Sequence, residues 1–266
     1  MNDERFLLET GCKYSTLAYD EEVKKGIKIE SRLTSTTAYV VKTKTLDIIC
    51  FRGTQQLGDW LFNISAIPVP YAGRLCHGGF VAAHASVWRK IKKHIDYNKD
   101  TLICGHSLGG ALAELSAAKL HKKHNRLSLV TFGKPNTFFK GFKRPMNLVK
   151  QVSLVSGSDL VARIPRLCYG ASVSQKMIYF ANNGKDIVNP STEFKKQDFM
   201  ANKGEAISDH FMQGYEQRLF NFIEALNKKK RQAQTSTKSR AATSEAGLTK
   251  EEQRELKKII GEDIYD

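Results

Sequence analysis

A chain that contains TLICGHSLGGALAELSAAKL, residues 101–120, has few ways to fold. Leu102, Ile103 and Cys104 read as a buried strand, and Leu108, Leu112, Leu115 and Ala118 recur after it at helical spacing. Between the two, Gly105 and Gly109 bracket Ser107 at the spacing G-x-S-x-G. Strand and helix then meet so closely that a Cβ at either glycine would collide. The turn is expected to hold the Ser107 hydroxyl out toward solvent or substrate. It also leaves the Leu108 amide at a helix N-terminus, without an intrahelical acceptor and aimed at any charge that develops beside the serine. Five residues with two glycines could make an ordinary turn, but the flanking strand and helix are the context that a nucleophile elbow requires.

The 266 residues are enough for a full core, and they read as one domain with an appendage. The five cysteines are odd in number and scattered, with Cys50 and Cys104 inside apolar runs, so they read as small buried hydrophobes of a reducing compartment. The first residues carry acids and no apolar leader, and no run approaches the length of a membrane span. These features predict a cytoplasmic protein, peripheral at membranes where it meets them. A formal charge of +15 favours anionic surfaces, phospholipid headgroups or nucleic acid, although it is equally what a solubilising surface carries.

Along the chain, residues 3–20 read as a packing helix weakened by Gly11. Residues 38–41 and 46–51 read as a hairpin, and 81–95 as a core helix with Val81, His84, Ala85, Trp88, Ile91 and Ile95 on one stripe. Further strands are expected at 127–132, 151–155 and 173–180, with a closing helix at 209–226. Strands alternating with helices argue a mainly parallel sheet covered on both faces, whose active site lies at the carboxyl ends of the strands. Leu57, Trp60, Leu61 and Ile64 share one face if 57–64 is a short helix, either a lid or a buried part of the core. The basic run Lys228-Lys229-Lys230-Arg231 opens an expected disordered linker over 227–247. A capping box at Thr249 and Glu252 starts a short amphipathic helix over 248–266. The spacing of Asp96, Asn98 and Asp100 starts like a calcium loop but fails at the glycine position, which is Thr101.

An activated serine needs a base, and the base needs an orienting group. Chain order after an elbow serine runs acid then histidine. His121 and His124 follow too soon to leave room for a strand and an acid, so His210 is the candidate base. Asp159, in a Ser-Gly-Ser-Asp turn after a strand, is the candidate acid. It is favoured over Asp186 and Asp198 in polar surroundings and over Asp209, which is expected to cap the helix of His210. Thr54, after the strand that ends in Phe51-Arg52-Gly53, is placed to give the second oxyanion donor beside Leu108. His77 reads as a structural hydrogen-bonding residue, and His106 as the variable position of the elbow.

Six ordered segments now match one family. They are Phe51-Arg52-Gly53-Thr54 with Asp59-Trp60-Leu61; His77-Gly78-Gly79-Phe80; the elbow from Gly105 to Ala113; Thr131-Phe132-Gly133-Lys134-Pro135; Ser158-Asp159 before Val161 and Pro165; and Asp209-His210 with Tyr215. In these the chain resembles the class 3 lipases over about residues 1–226. The resemblance implies an α/β-hydrolase fold with Ser107 as nucleophile, His210 as base and Asp159 as its orienter. It also implies an oxyanion hole from the amides of Thr54 and Leu108, and a lid formed or bordered by the segment carrying Trp60. The chain is expected to depart from secreted members in having no signal peptide, and it departs from them in lacking their paired cysteines, in Lys134, and in its basic tail.

The expected function is therefore hydrolysis of lipid acyl esters, of lipase or phospholipase A type, without metal or cofactor. The expected partners are a lipid interface and anionic lipid drawn to the tail, rather than nucleic acid. The rival reading is a catalytically silent hydrolase scaffold that binds anionic membrane or nucleic acid.

Overall fold

Short apolar runs separated by polar links supply the strands of the central sheet. The structure is a computed structural model that describes residues 3–21, 23–54, 67–139, 146, 148–165, 176–202 and 208–246, with side chains to 232 in the last stretch. Among the described residues the central sheet has eight strands, in spatial order β1 (Gly26–Ser31), β2 (Thr36–Lys42), β3 (Leu46–Phe51), β6 (Asp100–His106), β7 (Leu127–Phe132), β8 (Lys150–Ser156), β9 (Lys176–Phe180) and β10 (Asp186–Val188). β3, β6, β7, β8 and β9 run parallel, and antiparallel strands close both edges. A separate hairpin pairs β4 (Pro68–Tyr71) with β5 (Arg74–His77). Every residue of β3 and β7 is buried, as expected of parallel strands covered on two faces.

Side-chain alternation assigns the two faces. Ile49, Phe51, Ile103 and Leu129 join one cluster with Phe80, Val87 and Ile91 of α2 (Gly78–Ile91) and Leu112 and Leu115 of α3 (Leu108–Leu120). On the opposite face α1 (Glu4–Leu17) lies so near the sheet that a Cβ at Gly11 would stand 3.1 Å from Val130. The glycine that weakens this helix in the sequence is thus a contact point. Cys50 and Cys104, register partners on that face, are buried free thiols as expected, and Cys50 Sγ donates to the Tyr14 carbonyl at 3.2 Å.

Several sequence expectations shift. In α2 the buried residues are Phe80, Ala83, His84, Val87 and Ile91, whereas Val81 and Trp88 are only partly buried, and the helix ends at Ile91. The edge strand β1 escapes the hydrophobic pattern because only Ile29 of its six residues is buried. The short β10 and the helix α4 (Thr192–Ala201), which has no buried residue, escape it for the same reason. Helix α5 (Met212–Ala246) continues through the segment read as an unstructured linker. Residues 227–246 contain neither glycine nor proline, and Ala, Gln, Lys and Arg among them are good helix formers. The expected lid residues Leu57, Trp60, Leu61 and Ile64, and the expected terminal helix at 248–266, lie outside the described residues. The chain divides into two compact units, Met1–Arg218 and Leu219–Asp266. No described helix is long and apolar enough to cross a membrane.

Helix α3 is buried on nearly all sides, which forces its one carboxylate to find a partner. Glu114, fully buried, pairs at 3.0 Å with Lys134, whose side chain is 4% exposed. Lys134 thus fastens the elbow helix to the loop after β7. Lys134→Met is expected to destabilise the fold by about 3–5 kcal/mol in urea denaturation, because a buried charge is left unmatched. Adding Glu114→Leu should recover most of that loss.

Candidate active site

The site is assembled where β3, β6, β7 and β8 end. Ser107 follows β6 at φ 55° and ψ −132°, a conformation that is strained for a residue with a Cβ. The strain is held by packing. The Ser107 amide donates to the Phe132 carbonyl at 2.9 Å, and the Gly110 amide returns to the Ser107 carbonyl at 2.9 Å. A Cβ at Gly105 would meet the Gly109 backbone at 2.5 Å, and one at Gly109 would run into the Phe51 carbonyl. Leu108 is the first residue of α3, so its amide has no acceptor within the helix. The hydroxyl itself differs from expectation. Ser107 is 1% exposed, and its Oγ has no hydrogen-bond partner among the described residues.

Asp159 and His210 are brought together as the sequence suggests. Asp159 is wholly buried in the turn after β8, and His210 ends the single 3-10 turn Ser208–His210 before α5. His210 Nδ1–H donates to Asp159 Oδ2 at 2.8 Å. A carboxylate only accepts, so a hydrogen sits on Nδ1, and in the neutral ring Nε2 then carries a lone pair. That nitrogen is buried and has no partner among the described residues. The carboxylate is held at every corner. Tyr215 donates to the same Oδ2 at 2.6 Å, and the amides of Val161 and Ala162 donate to Oδ1 at 2.8 and 3.2 Å. Gly133, at φ 51° after β7, makes room: a Cβ there would lie 2.6 Å from Asp159 Oδ2.

The neighbouring carboxylate corrects one expectation. Asp209 does not cap a helix; it accepts from the Ser158 amide at 3.0 Å and from Arg218 at 2.6 Å, bracing the turn that carries Asp159. The rejected alternative Asp198 binds Tyr179 and Asn182 instead. His77, expected as a structural hydrogen-bonding residue, donates its amide to the Thr137 carbonyl at 3.1 Å. Its ring stacks on Phe80 with centroids 4.2 Å apart, and both ring nitrogens are buried with no partner among the described residues.

Three participants had no sequence signal of their own role. Tyr215 is buried, and its hydroxyl also accepts from the Ser156 amide at 2.9 Å. Burial first, and then Asp159, push its pKa well above the usual phenol range, so it remains a donor. Tyr19 and His106 form a second group. His106 touches the Tyr19 hydroxyl at 2.7 Å and the His210 carbonyl at 2.6 Å. Tyr19, Thr54, His106, His210, Phe211, Met212 and Gln213 line a cavity of about 200 Å³. Thr54 is therefore placed on the same cavity as His210.

Parallel strands with antiparallel edges, covering helices, and a serine elbow at the carboxyl edge define an α/β-hydrolase fold. Residues 48–168 match the model of the family described as Lipase (class 3). A lipase of Rhizomucor miehei is 27% identical over 170 residues, covering 56% of this chain and 45% of the relative. Secreted mono- and diacylglycerol lipase 1 of Fusarium solani is 28% identical over 167 residues, covering 58% and 50%. This chain thus spans about half the length of the relatives it matches. Among solved structures, the lipase of Rhizopus microsporus var. chinensis superimposes with a TM-score of 0.63 at 17% identity, over 77% of this chain and 85% of that one, a likeness of fold.

Replacing Tyr215 by Phe removes one bond to Asp159 and strands the buried Ser156 amide. The expected loss is about 1–3 kcal/mol in urea denaturation, and unchanged stability would contradict the described hydrogen bonds.

Proposed function

We propose that this chain is a serine ester hydrolase acting on lipid acyl esters. The observation that carries the reading is two buried polar atoms that have no hydrogen-bond partner among the described residues: the Ser107 hydroxyl in the elbow, and Nε2 of a histidine whose Nδ1 is already fastened to Asp159. Ser107 Oγ attacks the acyl carbonyl while His210 Nε2 takes its proton, and Asp159 steadies the imidazolium that forms. The tetrahedral oxyanion sits between the amides of Thr54 and Leu108. His210 then protonates the departing alkoxide. Water, deprotonated by the same nitrogen, attacks the acyl-enzyme; the bond to Ser107 Oγ then breaks, His210 returns the proton to that oxygen, and the fatty acid leaves. Every proton in the cycle passes through His210, so the chemistry calls for no cofactor.

The substrate class follows from the relatives' names and from the charge. The relatives are a lipase and a mono- and diacylglycerol lipase, which supports an acyl ester of a glycerolipid. The exposed Lys228-Lys229-Lys230-Arg231 run on α5 and the +15 charge favour anionic phospholipid over neutral triacylglycerol. Each lysine near such a surface contributes about 1 kcal/mol. In this reading the tail is an attachment point, the segment carrying Leu57, Trp60, Leu61 and Ile64 borders the acyl chain, and the protein works in the cytoplasm at membranes. The free thiols of Cys12, Cys50, Cys76 and Cys104 support a reducing compartment.

The test is release of fatty acid from phosphatidylglycerol vesicles, phosphatidylcholine vesicles and emulsified triacylglycerol by wild type and Ser107→Ala. Wild type is expected to hydrolyse phosphatidylglycerol fastest, and Ser107→Ala to fall to background, a loss of up to roughly a millionfold. Folded wild type that binds vesicles but releases no acid from any of them would instead favour the silent scaffold.

A further inference from the structure

Position 106, inside the elbow, is where the sequence places no requirement, yet its imidazole is bonded at both ends. We propose that His106 is a positioning residue: it tethers the backbone of His210 to the segment that carries Ser107, and so fixes the separation of nucleophile and base. The inference rests on the serine-hydrolase reading of the site.

The bonding pattern leaves one arrangement. The His210 carbonyl only accepts, so His106 Nε2 carries the hydrogen that bridges the 2.6 Å to it. In the neutral ring Nδ1 then accepts, and the Tyr19 hydroxyl at 2.7 Å is its donor. Tyr19 is itself seated against the loop after β3, where a Cβ at Gly53 would run into its hydroxyl. Ring contacts close the other sides: His106 lies 4.6 Å from the His210 ring, 5.6 Å from Tyr19 and 5.8 Å from Tyr215, centroid to centroid. Burial, and after it the charge of His210, hold the His106 pKa well below the ordinary value, while burial raises that of Tyr19. Both therefore stay neutral, and no positive charge opposes the imidazolium that His210 must form.

The geometry explains why a tether is needed. Asp159 holds the imidazole of His210 by one bond, about which the residue could pivot. His106 holds the other end, the main chain, from a different strand. Because His106 precedes Ser107, the tether and the nucleophile share one backbone segment, and the serine-to-histidine distance is set over a short path. A displacement of about 1 Å at such a site costs about a hundredfold in rate.

The experiment compares the full chain with His106→Leu, His106→Asn and His106→Gln on a soluble short-chain p-nitrophenyl ester. Gln carries an amide N–H to the Nε2 position, whereas Asn is too short and Leu has no donor. Leu and Asn are expected to lower kcat about a hundredfold with KM nearly unchanged, and Gln to keep kcat within about tenfold of wild type. Folded His106→Leu or His106→Asn at wild-type kcat, or Gln falling as far as Asn, overturns the proposal. Proton NMR gives a readout free of substrate: the His210 Nδ1–H signal should exchange faster in Asn than in Gln, and equal exchange also overturns it. Wild type inactive on every ester would sink the hydrolase reading alone, since the exchange comparison still decides the tether.

Discussion

The close approach of β6 and α3 is the constraint on which the carboxyl edge of the sheet depends. Two glycines let the strand turn into the helix without a Cβ between them, and the turn places Ser107 in a backbone conformation that it would not adopt alone. The strain persists because the surroundings over-determine it: amide bonds to Phe132 and from Gly110, the Phe51 carbonyl against Gly109, and the Glu114–Lys134 pair farther along the helix. A single strained residue is thus fixed by two neighbouring strands, the helix that follows it and one buried ion pair.

The second organising group is the Asp159 carboxylate, which accepts four hydrogen bonds from three parts of the chain. Two come from its own turn and hold the group in place. The Tyr215 bond returns from α5, and the fourth selects the tautomer of His210. Asp209 and Arg218 brace the turn from behind. The site is accordingly assembled from strand ends and brought to register by side chains whose own positions are fixed, the arrangement that precise chemistry requires.

Much of this was legible in the sequence. The elbow, the parallel core strands and the pairing of Asp159 with His210 follow from apolar runs, glycine spacing and chain order, all of which are local or ordinal signals. The rest depends on contacts between distant positions. Tyr19 and His106 are 87 residues apart, and His106 and His210 are 104 apart, so no window of sequence contains either pair. Glu114 reads as a polar member of a helix face, and only burial of that whole helix reveals that it needs Lys134. Asp209 reads as a cap because a side chain beside a helix start ordinarily is one, whereas in the structure it accepts from an amide of the neighbouring turn. The continuation of α5 was missed because charge and polar composition suggested a linker, while the absence of glycine and proline permits a helix.

The central claim is that Ser107 is a nucleophile activated by His210. The most direct test is mass spectrometry of the full chain after reaction with an alkyl fluorophosphonate, with the modified peptide sequenced. The account predicts one adduct, on Ser107, that forms at least about a hundredfold more slowly in His210→Ala. An adduct on another residue, or labelling of Ser107 at the same rate without His210, would contradict it.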